Sequence, residues 1–345
     1  MNRFLSIVSL LSLPALVWLG SAASPGAGAP KTKLSEYAFF SGNIADLKPA
    51  ANVFPYEVNA PLFSDYAEKA RFIYLPERTK MVYNDSLAFG FPDGAVIIKN
   101  FYYPNDAARP DRGRRILETR LLLKDPKGWK ALEYLWDDRQ TDAVLEVAGA
   151  AFPVSWRAAD GVVRTIQYIA PNLNQCKGCH SYDGRFVPIG ITARQLNRGK
   201  DIDNQLLAWR NQGRIDLPPD FDAGAAPRLA DYRIHSAPLD ARARAYLDSN
   251  CGHCHNPHGP ASTSGMLLDI SENDPERLGI GKSPVAAGRG SGDRKFGIVP
   301  GKPGESILLY RMESDDPGIR MPELGRQLPH TEGIELIKSW IKELK

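Results

Sequence analysis

The chain has 345 residues, a formal charge of +3, and 43% hydrophobic against 24% charged residues. That length accommodates two domains of ordinary size. A charge this close to balance gives no support to a nucleic-acid binder.

The first segment reads as an export signal. Arg3 supplies a positive start, Phe4 to Leu19 is apolar around Pro14, and Ser21-Ala22-Ala23 offers the small residues of a cleavage site. The run is short of the roughly 20 residues a spanning helix needs. No cysteine lies at the cleavage region for a lipid anchor. We therefore expect residues 1–23 to be a signal peptide and the mature chain to be periplasmic. It would start near Ser24 with a short flexible lead, 24–33, and would carry no membrane span. Loss of Arg3 would lower its charge to about +2.

Residues 34–215 form the first expected domain, and its texture is that of strands. Arg71–Leu75, Ala95–Tyr103, Ile116–Leu123, Trp129–Trp136 and Val162–Ile169 are rich in β-branched and aromatic residues. Pro92-Asp93-Gly94, Pro126-Lys127-Gly128 and Asp160-Gly161 mark reversals between them. In Arg164–Tyr168 the residues Arg164, Ile166 and Tyr168 share one face. A single curved antiparallel sheet with one covered face is expected. Beyond it, Ile202 to Gln212 has helical spacing and ends at Gly213.

Asp216 to Ala237 is rich in Pro, Ala, Gly and Asp and lacks periodicity, so 216–237 is read as a linker. Residues 238–345 form the second expected domain. Leu239–Ser249 reads as a helix, Lys282–Gly297 as a glycine-rich loop and Gly304–Glu313 as a short helix. Thr331 caps a last helix with Ile334, Ile337, Ile341 and Leu344 as its core stripe.

The chemistry sits in two pentapeptides, Cys176-Lys177-Gly178-Cys179-His180 and Cys251-Gly252-His253-Cys254-His255. In this spacing two thiols add across the vinyl groups of one haem, and the adjacent histidine reaches the iron. The expectation is two covalently attached c-type haems, with Cys176, Cys179, Cys251 and Cys254 as attachment points and His180 and His255 as axial ligands. These sites use all four cysteines. The alternatives are a four-thiolate zinc site and a redox dithiol, and neither has a use for the histidine after each second cysteine. Two propionates per haem would add about four negative charges.

In its order of helix, Cys-x-x-Cys-His, loop, Met-Pro and terminal helix, the stretch 238–345 resembles a class I cytochrome c domain. The resemblance implies Met321, in Arg320-Met-Pro-Glu-Leu324, as the sixth ligand of the second haem. Met312 in Ser306–Met312 is the rival, and Met266 in Ser264–Asp269 is read as packing. His253 is taken as a surface residue or propionate neighbour, and His330 as structural.

Phe91–Lys99, Gly128-Trp129 and Gln175–His180 make residues 70–200 similar to the β-sheet cytochromes. These are the β-type cytochrome c-prime and its lysine-cross-linked relatives. The resemblance implies a sheet covering the first haem, with Lys99 as a distal or porphyrin-linked candidate. The plainer reading of Lys99 is a solvated or propionate-paired lysine. His235, His258 and Met81 are other distal candidates, and Phe101 could cap an unligated iron. Arg289 is a candidate propionate partner.

The resulting fold class is α+β, an N-terminal antiparallel β-sheet haem domain followed by an all-α class I cytochrome c domain. Five strings, Ala60–Ala67, Pro171–Cys176, Arg242–Leu247, Pro284–Gly290 and Met321–Arg326, extend the likeness to a family of exported dihaem c-type proteins, which brings no substrate with it. The function expected is electron transfer between redox protein partners in the periplasm. Two alternatives stand beside it. One is a haem enzyme whose first haem binds peroxide, hydroxylamine or a nitrogen oxide while the second relays electrons. The other is a gas- or redox-sensing haem module.

Overall fold

The structure, a computed structural model, describes residues 29–345. The expected signal segment 1–23 and the start of the lead lie outside the described residues. Nine strands come first: β1 (Val53–Pro55), β2 (Glu68–Tyr74), β3 (Met81–Val82), β4 (Val96–Pro104), β5 (Arg114–Asp125), β6 (Gly128–Trp136), β7 (Ala143–Glu146), β8 (Ala150–Arg157) and β9 (Val163–Ala170). Helix α1 (Leu173–Cys179) then precedes the small hairpin β10 (Ser181–Tyr182) and β11 (Arg185–Phe186). After these come α2 (Ala193–Leu196), α3 (Gln205–Asn211), β12 (Ile215–Asp216), α4 (Leu239–Leu247), α5 (Ile307–Glu313) and α6 (Thr331–Glu343).

The framework is a six-stranded antiparallel sheet in the order β1-β2-β4-β5-β6-β7. The turn at Pro126–Lys127 closes β5 onto β6, where Lys127 N donates to Asp125 Oδ1 at 2.8 Å and Gly128 takes φ +126°. One face is apolar. Phe72, Ile98, Leu121 and Tyr134 pack there beneath Leu34, Tyr37, Phe39 and Phe40 from the N-terminal segment. Tyr37 and Tyr134 join hydroxyls at 3.0 Å in that core. Thr32 O accepts from Leu145 N, so this segment lies along β7.

The opposite face is mixed, and this positions the site. One end packs on α2 and α3 through Ile73, Ile97, Leu196 and Trp209. The other packs on the β8–β9 hairpin through Phe101, Tyr103, Trp156 and Tyr168. Between them runs a row of ionisable residues set by register: Arg71 opposite Lys99, Lys99 opposite Arg120, Arg120 opposite Glu133, and Glu133 opposite Glu146. Residues directly opposite share a face, so the row crosses five strands on one side.

Two expectations are corrected. The sheet is not single, because β8 and β9 pair only with each other. More importantly, residues 238–345 are not an all-α class I cytochrome c domain. The protein is mainly an antiparallel β-sheet structure with few helices, 24% helical overall. The C-terminal stretch holds three α-helices of 9, 7 and 13 residues. Between them the chain passes through short 3-10 turns and loops. Pro275, Pro284, Pro303, Pro317, Pro322 and Pro329, together with Gly288, Gly290 and Gly292, remove the donors and the backbone stiffness that longer helices need.

This stretch also packs against the N-terminal part of the chain. Arg194 Nε pairs with Asp248 at 3.0 Å, Phe63 N donates to Asn250 Oδ1 at 2.9 Å, and Asp65 accepts from Gln327 N and Leu328 N at 2.7 and 2.8 Å. Leu229 and Tyr232, from the segment read as a linker, are buried in the α4–α6 core. Ile202 is exposed, and the helix expected from it begins at Gln205. Among the described residues no helix is long and apolar enough to cross a membrane.

Candidate functional site

The first pentapeptide is the end of α1. Asn172 opens that helix with a capping box, accepting from Gln175 N while Gln175 Oε1 accepts from Asn172 N. One helical turn separates Cys176 from Cys179, so both thiols project from one side. His180 N donates to Cys176 O at 3.0 Å and closes the turn. The His180 ring stacks on Phe186 at 5.0 Å, and its Nδ1 donates to Val187 O at 2.7 Å. Only Nε2 remains for a ligand. Burial drives its pKa down to about 3, so the ring is neutral.

The second pentapeptide follows α4 through a π turn, Asp248–Gly252. His255 N donates to Cys251 O at 2.9 Å. Here too the ring is tethered by Nδ1, to Met266 O at 3.0 Å, with Ser264 Oγ at 3.3 Å. Burial lowers the pKa of His255 as well. Two segments of different local structure thus end in the same arrangement. An orienting bond on Nδ1 is what a metal-ligating imidazole ordinarily carries.

Both segments border one cavity of about 270 Å³. Cys176, Cys179, His180, Cys251, His253, Met312 and Met321 line it, while Cys254 and His255 stand just outside the lining. The sheet contributes Arg71, Lys99 and Arg120 from its ionisable row. With Arg194, Arg320 and Arg326 these cations outnumber the acids of the wall, Asp65, Asp248 and Glu323.

Lys69 and Lys99 lie over the Phe101 ring at 5.8 and 5.0 Å. Burial first, and the Arg71 charge second, push Lys69 down to about 7 and Lys99 well below the ordinary lysine range. Arg120 is anchored by an ion pair to Glu118, which also accepts from Tyr168 Oη at 2.8 Å. Glu118 Oε2 and both Glu133 oxygens meet no donor among the described residues. Burial, and then the Glu118 charge, raise the Glu133 pKa, so Glu133 holds a proton. Arg320 Nε is buried without an acceptor.

These facts bear on whether the residues fit a haem. The donor set fits, with paired thiols and a tethered imidazole in each segment. The cation surplus also fits, because propionates are dianionic partners for Arg and Lys. A four-thiolate zinc site does not fit: the metal-capable group here is Cys179, His253 and Cys254, without Cys176 or Cys251.

The candidate sixth ligands are placed as follows. Met321 and Met312 both reach the cavity wall. Met312 is 5% exposed and belongs to the α4–α6 core, whereas Met321 sits on an irregular segment. That segment is clamped by buried Arg326, which donates to the carbonyls of Met321, Arg311, Met312, Ser314 and Leu328. Met81 is buried in the α2–α3 core, and Phe101 lies under the lysines. His258 bonds Asp183 at 2.9 Å, and His235 lines a separate pocket. His330 stacks on Phe63 at 4.1 Å and bonds Tyr246 Oη at 3.1 Å. Arg289 is an exposed partner of Asp316 at 3.1 Å and does not line the cavity. Sequence reading missed Arg71, Arg120, Glu118, Glu133 and Arg326. For the strand residues a signal existed: charged side chains at alternate positions inside runs otherwise apolar.

Comparison with protein families, with curated proteins and with solved structures returned no match.

Proposed function

We propose that the protein is a dihaem c-type electron-transfer protein of the periplasm, serving redox protein partners there. The observation that carries this reading is the repeated tether. In each Cys-x-x-Cys-His turn the histidine spends Nδ1 on a backbone carbonyl and keeps Nε2 for iron. Cys176 and Cys179 would hold the first haem with His180, and Cys251 and Cys254 the second with His255. Met321 would complete the second site, with Met312 as its rival. When bound, each haem supplies a reversible one-electron couple.

The protein's own residues set the conditions for that couple. The tethered imidazoles hold a fixed tautomer and orientation. Arg71, Arg120 and Lys99 supply positive charge for propionates, and Lys99 is better explained by that pairing than by solvation, since it faces the cavity. Arg326 holds the Met321 segment in place. The apolar cores on either side exclude water from the wall.

The test is a haem stain of the denatured chain. Colour should stay with the polypeptide, and Cys176→Ala with Cys179→Ala should remove one haem while sparing the other. Colour that leaves the chain on denaturation overturns the reading. A second reading rests on the converged Cys179, His253 and Cys254, which could furnish three ligands of a tetrahedral metal site. Zinc in place of iron on metal analysis would favour it.

A further inference from the structure

The second cysteine of each pentapeptide meets the other. The sulfurs of Cys179 and Cys254 and a ring nitrogen of His253 all lie within 4.8 Å of one another. Cys254 Sγ also stands 3.8 Å from Gly178 O. The approach is built in. After the first pentapeptide, the β10–β11 hairpin turns on Asp183 (φ +48°) and Gly184 (φ +71°), the two positive-φ positions of a tight hairpin. From that turn Asp183 N donates to His258 O at 3.0 Å, and the Asp183 carboxylate bonds His258 Nδ1 at 2.9 Å. Tyr182 stacks on the same His258 ring at 4.7 Å. His258 lies three residues beyond the second pentapeptide, so this clasp fixes the two attachment turns against each other.

We infer that the protein holds its two haems edge to edge as one coupled redox pair, joined where the Cys179 and Cys254 sulfurs come within 4.8 Å of each other beside His253. This rests on the dihaem reading above. In a c-type linkage each thioether sulfur is separated from its macrocycle by one carbon, so sulfurs this near bring the macrocycle edges close. Charge at one iron is then felt strongly at the other across a poorly screening interior. Reduction of one haem disfavours reduction of its neighbour, and an electron entering at either site is shared by both.

The experiment uses the intact dihaem protein. The bound haem per chain is counted first by the pyridine haemochrome spectrum. A count below two overturns the dihaem reading itself and this inference with it. With two haems present, electron paramagnetic resonance is recorded on the fully oxidised protein and again when poised half-reduced. The inference expects fully oxidised signals that are broadened and weaker than the haem count requires. It expects the remaining ferric signal to sharpen when the neighbour is reduced. A signal that merely loses intensity on half-reduction, at unchanged line width, together with two independent one-electron titration curves, overturns the contact while leaving the dihaem reading intact. The His258→Ala variant, which removes the side-chain part of the clasp but no attachment residue, should partly restore the missing oxidised intensity. An unchanged coupled spectrum in that variant overturns the clasp as its cause.

Discussion

The two methionines facing the cavity differ in what surrounds them, and this separates their roles. Met312 is buried among Leu308, Leu309, Ile337 and Tyr246 in one core. Met312→Ala should therefore cost about 2–5 kcal/mol of stability, as truncation of a buried methionine does. It should leave the far-red charge-transfer band of a ferric methionine-ligated haem in place. Met321→Ala should abolish that band at a much smaller cost in stability. The pair is checked by chemical denaturation and by the ferric absorption spectrum; loss of the band in Met312→Ala alone would exchange the assignments. Lys69 offers a second test at this scale. Its folded pKa, about 7, lies below the ordinary 10.5, chiefly through burial. Between those values the unfolded chain binds a proton that the folded chain lacks, so stability rises with pH across that window. Denaturation of haem-free chain at pH 7 and pH 10 should show this rise, and Lys69→Met should flatten it.

Among the elements, α1 is the one whose failure would be most selective. It spans 7 residues and carries both thiols of the first site, so it depends on the Asn172 cap more than a long helix would. Asn172→Ala should cost about 1 kcal/mol. It should also lower haem content at the first site without lowering it at the second, read from haem yield in the wild-type and Cys251→Ala backgrounds. Equal loss at both sites would mean that the cap serves the fold at large. The elements were unequally legible in the sequence. Strands β2, β4, β5, β6 and β9 were visible because β-branched runs with turn residues between them leave few other choices. Strands β7 and β8 were not, since Ala143–Glu146 and the Pro153-containing run lack a strong pattern. Thr331 was expected to cap the last helix, but His330 holds the cap position. The Cys-x-x-Cys-His pentapeptides are visible in the sequence because their spacing is local. The cation row could not, because it exists only once register places Arg71, Lys99 and Arg120 side by side. The order of elements after residue 238 resembled a helical domain, yet its short helices owe their burial to one another and to distant loop residues such as Ala60, Leu229 and Tyr232, which spacing does not encode.

At the scale of the molecule, the sheet gives the first site a different setting from the second. The wall near His180 is cationic, with Lys99 and Arg120 from the sheet, and the methionines that reach the cavity come from the C-terminal stretch. We expect the reduced protein to bind carbon monoxide at one haem of the two, with the His180 haem responding. If both haems are inert to carbon monoxide and nitric oxide, the enzyme and gas-sensor alternatives fail together and electron transfer stands alone. The clamp by Arg326 has a molecule-wide effect too. It joins α5 to the Met321 segment through five carbonyls, and Asp65 from the sheet side holds the next residues. Arg326→Leu strands those carbonyls and should destabilise the protein by about 3 kcal/mol or more, measured by denaturant unfolding.

The cavity wall draws on residues from Tyr56 to Ile334, almost the full described length. No part of the chain can close it alone. If the chain carries haem as proposed, an order for biogenesis follows. The planar group would have to be stitched to Cys176 and Cys179 while the chain still gapes, before α6 docks on α4 and seals the far wall. A chain that folds faster than it is loaded would shut its thiols inside, so maturation becomes a race between ligation and closure. Slow docking of the last helix would then favour a fully loaded product.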